Sequence, residues 1–338
     1  MYCSPPGERR AAALRAATAS RELSVLLTAS RLEVAQYNFL LPEGREPEAI
    51  MDGKHPADDP QATPWNGLSG RAWVEAQEVL DRIFKPFEDL LVEAVLAGGA
   101  GGRVLDVGCG TGGTTLAVAR GLGAEGRLTG IDISEQMLAA ARARAERESL
   151  PARFIRADAQ SHAFEPASFD MILSRFGVMF FDDFVRAFEN LRRAAREGAG
   201  LRVITWRTDS ENPFMTTAER AARPLLPNLP VRKPDGPGQF AFGDKGRVHR
   251  ILKESGWAEA DIRPIDVACT LPEKELVRYF TRLGPLGLIL PEADEGTRRQ
   301  VIETVRTAFD PYVHGAEVRF TAACWMIGAR APAARQPC

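Results

Sequence analysis

Residues 103–113 read Arg-Val-Leu-Asp-Val-Gly-Cys-Gly-Thr-Gly-Gly, an apolar strand that runs straight into a glycine turn opening a helix. Val104, Leu105 and Val107 have the continuous apolar character of a strand buried on both faces of a parallel sheet. Gly108, Gly110 and Gly112 let the backbone turn tightly and approach a ligand with no Cβ in between. Thr114-Thr115-Leu116-Ala117-Val118-Ala119-Arg120 follows with helical spacing, so its first N–H groups point at whatever the loop holds. Strand, glycine loop and helix in this order build a site of nucleotide size.

Gly108, Gly110 and Gly113 also satisfy the G-x-G-x-x-G spacing of dinucleotide binders, so the loop alone leaves two cofactor classes open. Asp106, two residues before the first glycine, shifts the balance. A carboxylate there suits a cofactor with a positively charged amino acid moiety and sits badly beside a pyrophosphate, which favours S-adenosylmethionine over NAD. Leu128-Thr129-Gly130-Ile131-Asp132 then reads as a second strand ending in an acid, placed where a ribose is recognised.

With these residues in view the chain resembles the class I S-adenosylmethionine-dependent methyltransferases, four of whose motifs fall in order. They are Asp106–Gly112; Gly130-Ile131-Asp132-Ile133-Ser134, with the helix holding Met137 and Leu138; Phe154-Ile155-Arg156-Ala157-Asp158-Ala159; and Phe169–Gly177. The resemblance covers roughly residues 63–330 and implies a Rossmann-like α/β fold. It has seven strands with the last antiparallel, helices on both faces and an added lid. It further implies that Asp106, Gly108, Gly110, Gly112, Asp132, Ile133, Asp158, Ala159 and Ser174 bind the cofactor, with Asp158 and the next N–H at the adenine. One departure stands out: the turn before the fifth strand, usually Pro-Gly-Gly in the family, is Glu197-Gly198-Ala199-Gly200.

Strands are expected near 103–107, 127–131, 153–156, 169–173, 201–206, 261–268 and 318–328, alternating with helices as a parallel sheet requires. A net charge of −2 gives no bias toward nucleic acid. Cys3, Cys109, Cys269, Cys324 and Cys338 show no paired spacing, which points to a reducing compartment and against structural zinc. No apolar run approaches a membrane span, and the expected location is the cytoplasm. The expected partner is a small-molecule acceptor, with neither nucleic acid nor membrane, and a homodimer is compatible with the chain.

Residues 1–60 read as an extension, partly disordered or helical, in which Tyr37 and Phe39 are candidates to reach the acceptor pocket. The methyltransferase domain spans 61–330, and 331–338 is a tail. Trp73, Ala76, Val79, Leu80, Ile83 and Phe84 form an apolar stripe before Pro86 and predict a helix capping the site. Trp65 and Trp73 are candidates to close over the bound molecules, or to pack as ordinary core. Insertions at 208–243 and 271–315 lie outside the minimal sheet and are expected to form the lid. Their apolar content suggests a greasy or aromatic acceptor.

Displacement at a sulfonium methyl carbon mainly needs alignment, which accounts for about 7–11 kcal/mol of barrier reduction. A hydroxyl acceptor gains from a base. His314, where the second insertion re-enters the last strand, is the leading candidate for that base. His162, His249, Tyr279, Tyr312 and Asp182 are weaker ones. Arg175 leaves the fourth strand among apolar residues and needs a partner, either an acceptor carboxylate or phenolate or an internal acid such as Asp182 or Asp183. Phe176, Met179 and Phe180 are candidate acceptor walls. Two other classes stay open: an NAD-dependent oxidoreductase, for which no Tyr-x-x-x-Lys pair is found, and a cofactor-binding regulator without turnover.

Overall fold

A computed structural model of the chain describes residues 65–98, 102–232 and 236–333; the expectations for the 1–60 extension and for most of the tail lie outside them. The strands are β1 (Arg103–Val107), β2 (Arg127–Asp132), β3 (Ala152–Arg156), β4 (Phe169–Arg175), β5 (Ala195–Trp206), β6 (Ala258–Pro272), β7 (Val313–His314) and β8 (Glu317–Arg330). They form one sheet in the order β3-β2-β1-β4-β5-β8-β6, with β7 paired to β8 beside that path. From β3 to β5 every pairing is parallel, whereas β8 runs antiparallel to both β5 and β6. This is the expected sheet with its antiparallel last strand, plus the two-residue β7.

Order reverses at β1, since the chain leaves it to build β2 and β3 on one side and returns to place β4 on the other. In open α/β sheets a ligand crevice forms at that switch point, outside the strand C-termini. Asp106 pairs in register with Gly130 on β2 and Leu173 on β4, so the ends of all three strands meet at the glycine loop.

Around the sheet lie α1 (Leu68–Glu75), α2 (Gln77–Ala97), α3 (Gly113–Leu122), α4 (Glu135–Arg147), α5 (Phe184–Ala194), α6 (Pro213–Ala222), α7 (Lys245–Glu254), α8 (Leu276–Arg282), α9 (Gly284–Ile289) and α10 (Glu295–Ala308). The apolar stripe that precedes Pro86 continues beyond it. Phe87, Leu91 and Val95 are fully buried, and α2 runs through the proline to Ala97. Proline removes one backbone donor there, and the burial of three further apolar turns outweighs that loss.

At the departure before the fifth strand, β5 starts early, at Ala195, with a register shift between Phe169 and Met171 on β4. Gly198 takes φ +74°, and its N–H donates to the carbonyl of Ala331 at 2.9 Å. The 197–200 stretch is thus drawn into β5, between β4 and β8, instead of forming a separate turn.

The two insertions pack on each other through aromatic side chains. Phe214 of α6 stacks on Phe320 of β8 with ring centres 3.8 Å apart and meets Phe309 edge-on at 5.1 Å. Tyr279 of α8 lies 5.9 Å from the same ring.

Candidate active site

A cavity of about 490 Å³ opens at the switch point. Its floor is the loop from Val107 to Gly110 together with Ile131, Asp132 and Ile133 after β2, and one wall is Ala157, Asp158, Ala159 and Gln160 after β3. The other walls come from Arg175–Phe181 after β4, from Trp65 and Trp73, and from both insertions.

Local hydrogen bonding explains the floor. Asp132 Oδ2 accepts from the Gly110 N–H at 2.8 Å and its Oδ1 from the Ser134 N–H at 2.9 Å, so one carboxylate ties the glycine loop to the end of β2. Gly110 has φ +55°, and a Cβ there would meet only Met137 Sδ within 4 Å, at 3.8 Å. Space at Gly110 is therefore open toward the cavity, as a loop that receives a ligand requires. Asp158 closes a turn on the Gln160 N–H and the Ser161 hydroxyl, both at 2.9 Å, and still lines the cavity.

Asp106, Gly112 and Ser174 are placed behind the lining. Asp106 is 1% exposed and accepts from Thr115 Oγ1 at 2.6 Å, which ties the end of β1 to the first turn of α3. Burial pushes its carboxyl up to about 7. Gly112, at φ +81°, packs against Ala141, which would lie 3.0 Å from an added Cβ. Ser174 Oγ donates to Val107 O at 2.7 Å and accepts from the Gly177 N–H at 3.1 Å, stitching the ends of β1 and β4 together.

All five residues expected on the acceptor side, Trp65, Trp73, Arg175, Phe176 and Met179, line the cavity. Trp65 meets Trp73 edge-on at 6.0 Å and Phe180 at 5.3 Å, while Phe176 stacks on Trp206 at 4.7 Å. Arg175 does not pair with Asp182 or Asp183; Asp183 instead caps α5 by accepting from the Arg186 N–H at 3.0 Å. The Arg175 guanidinium lies over the Phe84 ring at 5.4 Å and donates to the Phe84 carbonyl at 3.4 Å. Burial lowers its pKa, while Glu88, Asp81 and Asp106 act on it through space in the opposite direction. Among the described residues it forms no ion pair within 4.0 Å. Asp81 is instead held by Arg144 at 2.8 Å.

His314 is not brought to the cavity. It stands exposed on β7, because strand alternation turns Val313 inward and its neighbour out. His249 is likewise exposed on α7, opposite the buried Val248, Ile251 and Leu252. His162 packs edge-on against Phe164 at 4.7 Å, and Tyr312 against Phe214 at 5.1 Å, neither in the lining. Asp182 and Tyr279 do line it.

One feature of the insertions carries no motif. Glu219, buried on α6, is bound by Arg232, whose Nε donates at 3.1 Å and whose Nη2 donates to the other oxygen. Arg232 also donates to Gln239 Oε1 at 3.3 Å and lies over the Phe240 ring at 4.8 Å. The spacing of Met215 and Glu219 as i and i+4 on a short helix is the signal that sets both on one face.

The chain matches the methyltransferase domain family over residues 104–198. An uncharacterized protein of Mycobacterium tuberculosis is 34% identical over 173 residues, which is 51% of this chain and 59% of that relative. A demethylmenaquinone methyltransferase of Staphylococcus haemolyticus is 25% identical over 175 residues, 48% of this chain and 71% of that one. The match to the mycobacterial relative thus spans less than two-thirds of its length. Among solved structures, the YcgJ protein of Bacillus subtilis has a TM-score of 0.48 at 16% identity, covering 73% of this chain and 98% of that chain.

The matched stretch contains the glycine loop at the switch point and the acid ending β2, within a sheet whose last strand is antiparallel. Residues 104–198, which run from β1 into the start of β5, are thus similar to a methyltransferase domain. Among the described residues no helix is long and apolar enough to cross a membrane.

Proposed function

We propose that the protein transfers a methyl group from S-adenosylmethionine to a small apolar or aromatic acceptor by direct displacement. One observation carries this reading: a single cavity joins the Gly108, Gly110, Asp132 and Asp158 floor to walls that are overwhelmingly aromatic and aliphatic. Such a chamber buries an apolar partner beside the cofactor.

When bound, the cofactor supplies an electrophilic methyl carbon on a sulfonium. Asp132 is the residue that accepts from the ribose hydroxyls, with the Ile133 backbone beside it. Asp158 and the N–H of Ala159 take the adenine edge. Gly108 and Gly110 admit the amino acid portion to the backbone, while Asp106, Gly112 and Ser174 hold that loop in shape from behind. Phe176, Met179, Trp65 and Trp73 orient the acceptor and exclude water. Arg175 offers a cation to an anionic group in the cavity. Alignment rather than a dedicated base does most of the work, and His314 has no part in it.

The test is incubation with labelled-methyl S-adenosylmethionine and a panel of phenols, quinols, amines and fatty or polyketide-like acids. Label is expected in phenolic or other apolar products that partition into organic solvent. Label confined to small hydrophilic amines would overturn the acceptor class and leave the cofactor assignment standing.

A further inference from the structure

Tyr279 projects from α8 into the acceptor half of the cavity. Its hydroxyl lies 3.7 Å from Met215 Sδ, a thioether, and no oxygen or nitrogen among the described residues accepts from it. Sulfur of this kind is a weak acceptor, and a phenol among apolar side chains ordinarily finds a better one. The surroundings reinforce the point, for the Phe214 ring 5.9 Å from the Tyr279 ring is almost completely buried. Burial, with Cys269 adding to it, raises the phenol well above its ordinary value, so the group is a neutral O–H donor across the physiological range.

The Glu219 carboxylate on this side is already committed. Glu219 sits one helical turn after Met215 on α6, and both its oxygens accept from Arg232. Glu219 is therefore not a free carboxylate presented to a cationic amine. What this half offers an incoming molecule is apolar area, the Arg175 cation and one under-used neutral hydrogen-bond donor.

We propose that Tyr279 donates its O–H to an oxygen of the methyl acceptor, which is therefore an apolar ring compound bearing a carbonyl, enol or phenol oxygen. This rests on the methyltransferase reading above and narrows it. Tyr279 acts as a specificity residue that fixes which way the ring faces. A buried donor left without its partner disfavours a hydrocarbon of the same shape, the usual source of strong discrimination at a polar contact.

The test uses tetralin and its ketone, tetralone, as probes of one shape with and without an accepting oxygen. Binding is measured by calorimetry on the full chain saturated with S-adenosylhomocysteine. Wild type is expected to bind tetralone about tenfold more tightly than tetralin, as one neutral hydrogen bond implies. Tyr279→Phe is expected to bind the two alike, with tetralin held at least as tightly as by wild type and affinity for S-adenosylhomocysteine unchanged. Met215→Leu, which removes the thioether and keeps the phenol, is expected to keep or sharpen the preference. Equal binding of the two probes by wild type, binding of neither, or a preference that survives in Tyr279→Phe would overturn the proposal. The wild-type and Met215→Leu results decide it even if the phenylalanine variant does not fold. Absence of S-adenosylhomocysteine binding on the same instrument would instead count against the methyltransferase reading.

Discussion

Gly108, which opens the turn after β1, and Gly177, which follows β4, touch backbone to backbone beneath the cavity. A Cβ on Gly108 would fall 2.7 Å from Gly177 Cα, and one on Gly177 would fall 2.5 Å from the Val107 carbonyl oxygen. Neither position admits a side chain without moving main chain. The Ser174 hydroxyl, bonded to Val107 O and to the Gly177 N–H, holds the two strand ends at this separation.

Gly177→Ala is therefore expected to destabilise the protein by about 1–3 kcal/mol, the range for overpacking a tight site. Because the displaced atoms belong to the glycine loop, affinity for S-adenosylhomocysteine should fall as well. Urea unfolding and calorimetric titration measure the two effects. An alanine variant with unaltered stability would mean that the contact is looser than the distances indicate.

Asp132→Ala removes a carboxylate that holds the N–H groups of both Gly110 and Ser134. Each donor left unsatisfied costs about 1–3 kcal/mol. Stability should drop, and affinity for S-adenosylhomocysteine should weaken about tenfold or more because the ribose contact is lost with the loop anchor. Titration of a folded variant with wild-type affinity would rule out Asp132 as the ribose acid.

Asp106 supplies a pH dependence whose sign follows from its burial. Its carboxyl is raised from the ordinary 3.8 to about 7, so the folded state holds the proton more tightly than the unfolded chain. This group's contribution to stability is greatest below its unfolded value, declines as pH rises through the interval, and levels off above about pH 7. Asp106→Asn removes that decline, so its stability relative to wild type should grow between about pH 5 and 7, by on the order of 1 kcal/mol per unit, then stay constant. Urea unfolding of both proteins without ligand over that range gives the comparison; a gap that narrows with pH would contradict the assignment.

The glycine loop and the two strand-end acids were legible in residues 103–177 because each is written locally, as an apolar run ending in Asp or Gly, whereas the sheet order followed only from the resemblance. The close approach at Gly177 was not, since it depends on which strand lies beside β1. The apolar stripe was read only as far as Pro86, and Phe87, Leu91 and Val95 carry it on beyond the proline. Arg175 was read as needing a partner, yet the acids that act on it, Glu88 and Asp81, come from α2, some ninety positions earlier. His314 drew notice for its place before the last strand, but the inward or outward sense of a two-residue strand is fixed only by pairing with β8. Tyr279, Glu219 and Arg232 sit in insertions with no strand or glycine motif to anchor them, and only tertiary packing brings them to the cavity.

The central claim is that the cofactor enters at the loop around Gly110, and a paired calorimetric titration of wild type and Gly110→Val with S-adenosylhomocysteine tests it most directly. Valine there would carry its side chain into the cavity, where only Met137 stands near, at a residue with φ +55°. The variant is expected to fold with a backbone strain of about 1–2 kcal/mol. Wild type should bind S-adenosylhomocysteine at one site and ignore NAD, while the folded valine variant should show no binding and no ligand-dependent rise in Tm. Wild-type affinity in the folded variant, or binding of NAD in place of S-adenosylhomocysteine, would contradict the account.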